Sequence, residues 1–430
     1  MTNQNPTSIP ANRANQIETY FNLGNQAYYK NKKTEAKQYY RQCLQLKPDW
    51  LNALYNIGVV CTELEQWPEA TKYLGQVIAI KPDHAHAYNY LGIIARRQNQ
   101  LIEAVLQFQT AIAIKYQFPD AHFNLGMTLL QMGRLIAGFA ESEWRWQTDR
   151  FTPLNCPQPQ WQGEDISQQS ILVHTEQGAG DAIQFIRYMP LLIPRCKQVI
   201  LCCPDHLVAL FKPIAGIAQI YTAGAIPLSE FSTFAPLMSL PHLLRTTLNT
   251  IPNQVPYLDI EPDRKEKMAA LFSKSNSNPK VGIVWAGSPT HTDDRNRSCT
   301  LRDLLPILEL ANLNFYSLQK GPQETELNQL PDAVQINDLS PHIHDYMDTA
   351  AAIDHLDLVI GVDTSVVHLA GALGKSVWVM LSHSPDWRWL LDRSDTPWYP
   401  TMRLFRQSQP RHWQDVVEAI VENLTSIIVQ

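Results

Sequence analysis

A chain of 430 residues is longer than one hydrophobic core usually spans, so two or three domains of roughly 100–200 residues are expected. Apolar residues make up 45% and charged residues 18%, a globular composition, and a net charge of −6 argues against a general nucleic-acid binder. No apolar run approaches the roughly 20 residues a membrane-spanning helix needs. Residues 1–15 are polar, with no basic and then apolar leader pattern. They read as a flexible N-terminus, and a cytoplasmic location is the expectation. The seven cysteines include no C-x-x-C pair and have no histidine spacing suggestive of zinc, so they read as reduced structural thiols.

Residues 16–150 repeat. Gly24, Gly58, Gly92 and Gly126 lie 34 residues apart; Ala36, Ala70 and Ala104 keep the same period, as do Pro48 and Pro82. Each unit reads as a helix pair with a close crossing at the small residues, a proline ending the second helix, and Tyr40, Leu74 and Phe108 filling the groove between repeats. Three units are clear. The fourth has Pro119, Gly126 and Gly133, carries Gly138 where alanine is expected, and runs into Trp144-Arg145-Trp146, which reads as a capping or docking end. The pattern resembles the tetratricopeptide family. That resemblance implies an α-solenoid with a groove that binds a protein or peptide; a spacer or dimerisation arm is the alternative. Residues 1–150 carry net +3 and residues 151–430 net −9, so the two parts differ in kind.

Pro153, Pro157, Pro159 and Gly163 make residues 151–169 a linker. Residues 170–262 then read as a first Rossmann-like unit: an apolar strand at 170–174, the loop Glu176-Gln-Gly-Ala-Gly-Asp181, a helix over 182–193 and a strand at 199–203. Gly178 and Gly180 lack the third glycine of a dinucleotide fingerprint, which argues against a nicotinamide oxidoreductase. Asp181 at the helix start is either a first-turn acid or a carboxylate facing a cleft.

Residues 263–430 read as a second Rossmann-like unit. Strands are expected at 280–286, 315–318, 333–336, 356–361 and 376–380, and helices at 301–310 and 347–353. Asp363-Thr364-Ser365 precedes a helix, a natural place for a phosphate. His368, one turn in, is either a core histidine or a ligand-binding one. Arg295, Arg297 and Lys320 are expected on the same strand edge. No D-x-D triplet occurs, and no carboxylate group has metal-ligand spacing, so no metal cofactor is expected.

Together, two such units facing a cleft match the GT-B glycosyltransferase architecture. Glu176-Gln-Gly-Ala-Gly-Asp-Ala-Ile-Gln-Phe-Ile-Arg-Tyr188 and Gly361-Val-Asp-Thr-Ser-Val-Val-His-Leu-Ala370, with Trp285-Ala-Gly-Ser288 and Ser317-Leu-Gln-Lys320, resemble the ADP-heptose:lipopolysaccharide heptosyltransferase family. The layout also resembles, more distantly, the protein O-linked N-acetylglucosamine transferases. The resemblance implies Asp181 as catalytic base, with Gln177, Gly178 and Gly180 lining the acceptor cleft. It implies Asp363, Thr364, Ser365 and His368 as donor-binding residues, aided by Lys320, Arg295 and Arg297. Ser365 stands where that family usually has glycine. The expectation is an inverting, metal-independent transferase that takes a nucleotide-sugar donor and a protein or glycan acceptor chosen with help from the repeats. A non-catalytic adaptor with a degenerate transferase-like part is the alternative. Sugar, base, acceptor and oligomeric state stay open.

Overall fold

The computed structural model describes residues 11–428 apart from 223, 225, 274 and 275. Most of the N-terminal stretch read as flexible, residues 1–10, therefore lies outside the described residues. The chain divides into two compact units. One comprises Met1–Leu129 and Ala140–Thr152; the other comprises Leu130–Phe139 and Pro153–Gln430.

The first unit is built of helix pairs: α1 (Ala11–Tyr29) with α2 (Lys33–Leu46), α3 (Leu51–Glu63) with α4 (Trp67–Ile80), and α5 (Ala85–Arg97) with α6 (Leu101–Ile114). α7 (Pro119–Gln131) and α8 (Leu135–Ser142) follow. The glycine period has a direct steric cause. A Cβ on Gly24 would come within 2.5 Å of the Tyr40 ring; on Gly58 it would meet Leu74 at 2.8 Å, and on Gly92 the Phe108 ring at 2.6 Å. Tyr40, Leu74 and Phe108 therefore pack against the glycine of their own helix pair, and the Tyr40 hydroxyl also reaches Asn56 on the first helix of the next pair. Gly138 does the same in the fourth pair, where a Cβ would sit 2.8 Å from the Leu130 backbone nitrogen, so alanine does not fit there. The turn inside each pair also repeats: Asn31, Glu65, Asn99 and Gly133 all have φ between 57° and 74°. Only the last is glycine, for which that conformation carries no Cβ clash. Trp144 stacks on His122 at 3.9 Å, inside the first unit.

The second unit holds two parallel sheets. β1 (Ile166–His174), β2 (Cys196–Cys202), β3 (Ile217–Tyr221) and β4 (Thr233–Pro236) lie in the order β3-β2-β1-β4. β5 (Lys280–Val284), β6 (Asn314–Ser317), β7 (Asn337–Asp338), β8 (Leu358–Val362), β9 (Ser376–Leu381) and β10 (Met402–Arg406) lie in the order β10-β9-β8-β5-β6-β7. The second sheet is covered by Trp413 and the helix Gln414–Ile428, whose Val416, Val417, Ile420 and Leu424 pack in one core with Val281, Ile283, Ile360 and Met380. Segment Leu130–Phe139 belongs to this unit. Phe139 meets the edge of the Trp387 ring at 5.6 Å, and Gln131 donates to the Pro385 carbonyl at 3.4 Å.

Several local expectations are corrected. The helix expected over 182–193 is broken: α9 (Ala179–Phe185) gives way to 3₁₀ turns and the short helix Met189–Leu192, because Pro190 and Pro194 lack an N–H to donate. Residues 301–310 form a 3₁₀ turn, Leu301–Leu304, and then the helix Leu305–Leu308 around Pro306. The strand expected at 333–336 is irregular, and the edge pairing falls on Asn337–Asp338. β1 begins at Ile166, inside the expected linker. β3, β4 and β10 were not expected; β4 has only four residues and ends in proline, too short for a period to register.

Candidate active site

Strand order places the site. In an open parallel sheet the crevice lies beyond the carboxyl ends of the strands, where the chain direction of winding reverses. In the first sheet that point falls between β1 and β4, and β1 runs into the Thr175–Gly180 loop. In the second it falls between β5 and β8. There β5 runs into Trp285-Ala-Gly287 and β8 into Asp363-Thr364. Both loops singled out in sequence sit at a switch point.

The two loops meet. A Cβ on Gly180 would lie 3.2 Å from His368 Cδ2 and 3.4 Å from Ser365 Cα. Glycine is therefore what lets the α9 start lie against the start of the helix Ser365–Ala372. Asp181 is the third residue of α9, and its Oδ2 accepts the Gly178 N–H at 2.9 Å. Its Oδ1 accepts from Arg388 Nη2. Arg388 also donates from Nη1 to Asp386 Oδ1 at 2.8 Å and from Nε to Gln184. Burial disfavours charge on Arg388, but Asp386, Asp181 and Asp363 outweigh it and raise the guanidinium above its ordinary value.

Asp363 is held by three neighbours. Trp389 Nε1 donates to its Oδ2 at 2.8 Å, His368 Nε2 lies 3.7 Å from its Oδ1, and Arg297 adds positive potential. Burial alone would raise the Asp363 carboxyl; His368, Trp389 and Arg297 prevail and hold it at about 2. His368 is buried, shares a 2.9 Å hydrogen bond with the Tyr399 hydroxyl through Nδ1, and stacks on Trp389 at 5.3 Å. Burial and Arg297 also lower His291. Thr364 is the N-cap of the helix Ser365–Ala372 yet caps nothing: its Oγ is buried and without a partner. The Ser365 hydroxyl is turned aside, accepting from Tyr346 at 2.7 Å.

The remaining sequence candidates divide. Arg297 lies over Gly287, where a Cβ would overlap its guanidinium, and acts on Asp363. Lys320 donates to the Ser340 carbonyl at 2.8 Å and sits 3.7 Å from Glu324. Arg295 is on the short helix Asp294–Arg297. Gln177 is exposed with φ 61°, turning the loop into α9. Gln319, between the two supporting segments, closes the end of β5: its Oε1 accepts the N–H groups of Trp285 and Ala286 at 3.1 and 3.0 Å. Those amides are thereby satisfied internally.

Sequence reading missed Arg388, Asp386, Trp389, Tyr399 and Gln184. The available signal was Asp386-Trp-Arg-Trp389 just past the β9 strand, a charge pair between tryptophans on the expected edge.

The fold and the site define a class: a helical repeat array joined to a pair of parallel α/β sheets with a polar cluster at their switch points. Residues 17–50 and 51–117 match the tetratricopeptide repeat family. The chain is similar to Protein FlbA of Caulobacter vibrioides, 25% identical over 326 residues that cover 69% of this chain and 53% of that protein. It thus spans about half the length of the curated relative it matches. Similar solved structures include a mutant of the Thermobaculum terrenum O-GlcNAc transferase (13% identity, 98% of this chain and 92% of that one, TM-score 0.37). They also include MamA of Desulfovibrio magneticus (23% identity, 30% of this chain and 72% of that one, TM-score 0.27). Among the described residues no helix is long and apolar enough to cross a membrane.

Proposed function

We propose that the second unit is an inverting glycosyltransferase that moves a sugar from a nucleotide-sugar donor to a protein or glycan acceptor which the repeats help to select. The observation that carries this reading is the meeting of the Gly180-Asp181 loop with Ser365 and His368. It sets a carboxylate from one sheet beside a helix start from the other, as transfer between two bound substrates requires. The unpartnered Thr364 hydroxyl and the helix N-terminus behind it suit a phosphate oxygen. Ser365 does not fill that place with its side chain, because its hydroxyl bonds Tyr346.

In this reading the acceptor oxygen attacks the anomeric carbon as Asp181 takes its proton. Each carboxylate oxygen has two acceptor sites, so the bonds from Gly178 and Arg388 leave capacity for that proton. The bond to the leaving diphosphate breaks, its electron pair stays on the diphosphate, and Thr364, the helix amides and Arg297 offset the charge. Base catalysis of this kind contributes about 10²–10⁴-fold. We propose no metal, since the sequence has no D-x-D triplet.

Calorimetric titration with ADP, UDP and GDP tests the donor site, and mass spectrometry of products from mixed nucleotide sugars tests transfer. Asp181→Asn is expected to retain diphosphate binding and lose transfer. Binding to none of the three nucleotides would favour the non-catalytic adaptor, and normal turnover by the Asp181→Asn variant would remove Asp181 as the base.

A further inference from the structure

Arg187 is a buried cation that the transfer chemistry does not use. It lies in the 3₁₀ turn Ile186–Tyr188 that follows α9 and is 2% exposed. Its Nη1 donates to the Trp398 carbonyl, and Nε and Nη2 have no hydrogen-bond partner among the described residues, so no carboxylate is bonded to it. Two phenol rings take the place of a counter-ion. The guanidinium carbon lies 4.4 Å from the centre of the Tyr399 ring and 4.5 Å from that of Tyr257. Burying a charge is costly, and an uncharged side chain would fill the same volume, so packing alone does not account for a cation here.

The charge sits beside a hydrogen-bond chain that ends at His368. The Tyr257 hydroxyl donates to the Ile183 carbonyl at 2.9 Å, so its contact with the Tyr399 hydroxyl at 3.5 Å is the weaker one. The close partner of the Tyr399 hydroxyl is His368 Nδ1 at 2.9 Å. Gly371, three residues beyond His368, makes room for the ring: a Cβ there would lie 2.6 Å from Tyr399 Cδ1. Two arrangements satisfy the bond. Either Tyr399 donates and the imidazole proton stays on Nε2, or Nδ1 carries the proton and donates. The second turns a bare Nε2 lone pair toward the Asp363 carboxylate, whose Oδ1 is 3.7 Å away; the first places an N–H there. Arg187 favours the first as well. A positive charge over a phenol ring makes its O–H a better donor and its oxygen a poorer acceptor. Burial raises the Tyr399 phenol, and Arg187 acts against that rise.

We infer that Arg187 is a positioning residue: through Tyr399 it holds His368 in the tautomer that carries its proton on Nε2. Cδ2, the ring carbon bonded to Nε2, faces Gly180, so this N–H is presented where the two loops meet. Its 3.7 Å separation from Asp363 is too long for a hydrogen bond, which leaves the N–H open to a phosphate oxygen. That use rests on the reading of the Ser365–Ala372 helix start as the donor site; the tautomer itself does not.

The test is nitrogen NMR of the full chain with isotope-labelled histidine at about pH 8, above the ordinary histidine range. The His368 signals are identified by their loss in His368→Gln. The parent chain is expected to show a protonated Nε2 and a lone pair on Nδ1. Tyr399→Phe keeps the ring against Gly371 and removes the hydroxyl; Arg187→Met keeps the length and removes the charge. Each is expected to give a mixture of the two tautomers, whereas Arg187→Lys, which keeps a charge over the rings, is expected to stay close to the parent. Calorimetry with ADP, UDP and GDP supplies the second readout. Both variants are expected to weaken the nucleotide that binds about fivefold, the equivalent of one hydrogen bond, and the double variant no more than Tyr399→Phe alone. Circular dichroism and Tm check the fold, and Arg187→Gln replaces a methionine variant that does not fold. A proton on Nδ1 in the parent, alone or with one on Nε2, would overturn the inference. So would an Arg187→Met variant that keeps the parent tautomer, or a double variant weakened by the product of the two singles. If none of the nucleotides binds the parent, the donor-site reading fails and the spectra still decide the tautomer.

Discussion

Replacing Arg388 by methionine tests whether the two sheets are held together by the charge cluster described above. The side chain is about 10% exposed and makes bonds to Asp181, Asp386 and Gln184. Methionine keeps most of the aliphatic volume against Trp387 and Phe185, so the cavity contribution is small. What remains is electrostatic. Asp386 is 37% exposed and can be solvated, so its share is at most about 1 kcal/mol. Asp181, 17% exposed, loses its charged partner and keeps only the Gly178 N–H, while the fully buried Gln184 oxygen loses the Arg388 Nε donor. Orphaning a buried charge costs about 3–5 kcal/mol, so R388M is expected to destabilise the second unit by about 3–4 kcal/mol. Urea unfolding followed by tryptophan fluorescence reads this, with hydrogen exchange locating the loss in the second unit. The double variant D181N/R388M is expected to recover part of the loss, since it removes the orphaned charge. An R388M loss under about 1 kcal/mol, or a double variant whose loss equals the sum of the singles, would refute the reasoning.

Three further outcomes follow from the same contacts. Asp363, held at about 2, lies below its ordinary value of 3.8, so its charged form stabilises the fold above about pH 4 and that contribution fades as pH falls toward 2. Asp363→Asn is therefore expected to cost on the order of 2 kcal/mol at neutral pH. Unfolding curves of the two proteins should converge on acidification; a constant offset would count against it. Gly92→Ala puts a methyl 2.6 Å from the Phe108 ring and is expected to cost about 1–3 kcal/mol in the repeats, with Phe108→Leu restoring part of it in thermal melts. If G92A melts like the parent chain, the close helix crossing is not what keeps glycine there. Phe139→Ala is expected to destabilise the second unit, to which Phe139 belongs, by about 3–5 kcal/mol, and hydrogen exchange would show whether protection is lost there.

The repeats were legible in the sequence because each repeats one local problem. A small residue must face a large one across a helix pair, and the chain writes that need every 34 residues. The contact with the glycine of the same pair was not legible, because a period fixes spacing but not which of two flanking grooves a side chain enters. The strand–loop–helix segments around Asp181 and Asp363 were legible for a similar reason, since a buried strand and a polar loop differ in composition along the chain. The proline-broken stretch after α9 could be foreseen in kind; the four-residue β4 could not, being shorter than any period.

By itself, then, the sequence determined the helix pairs, the alternating α/β segments and two loops at strand ends, all consequences of short-range patterning. Only the tertiary structure decided that the two loops touch through Gly180. It also decided that Arg388 meets Asp181, and that Trp389 and His368 hold Asp363. Arg388 is 207 residues from Asp181. Nothing in linear order selects it from the other cations, because its pairing is set by which strand ends the sheet topology brings together.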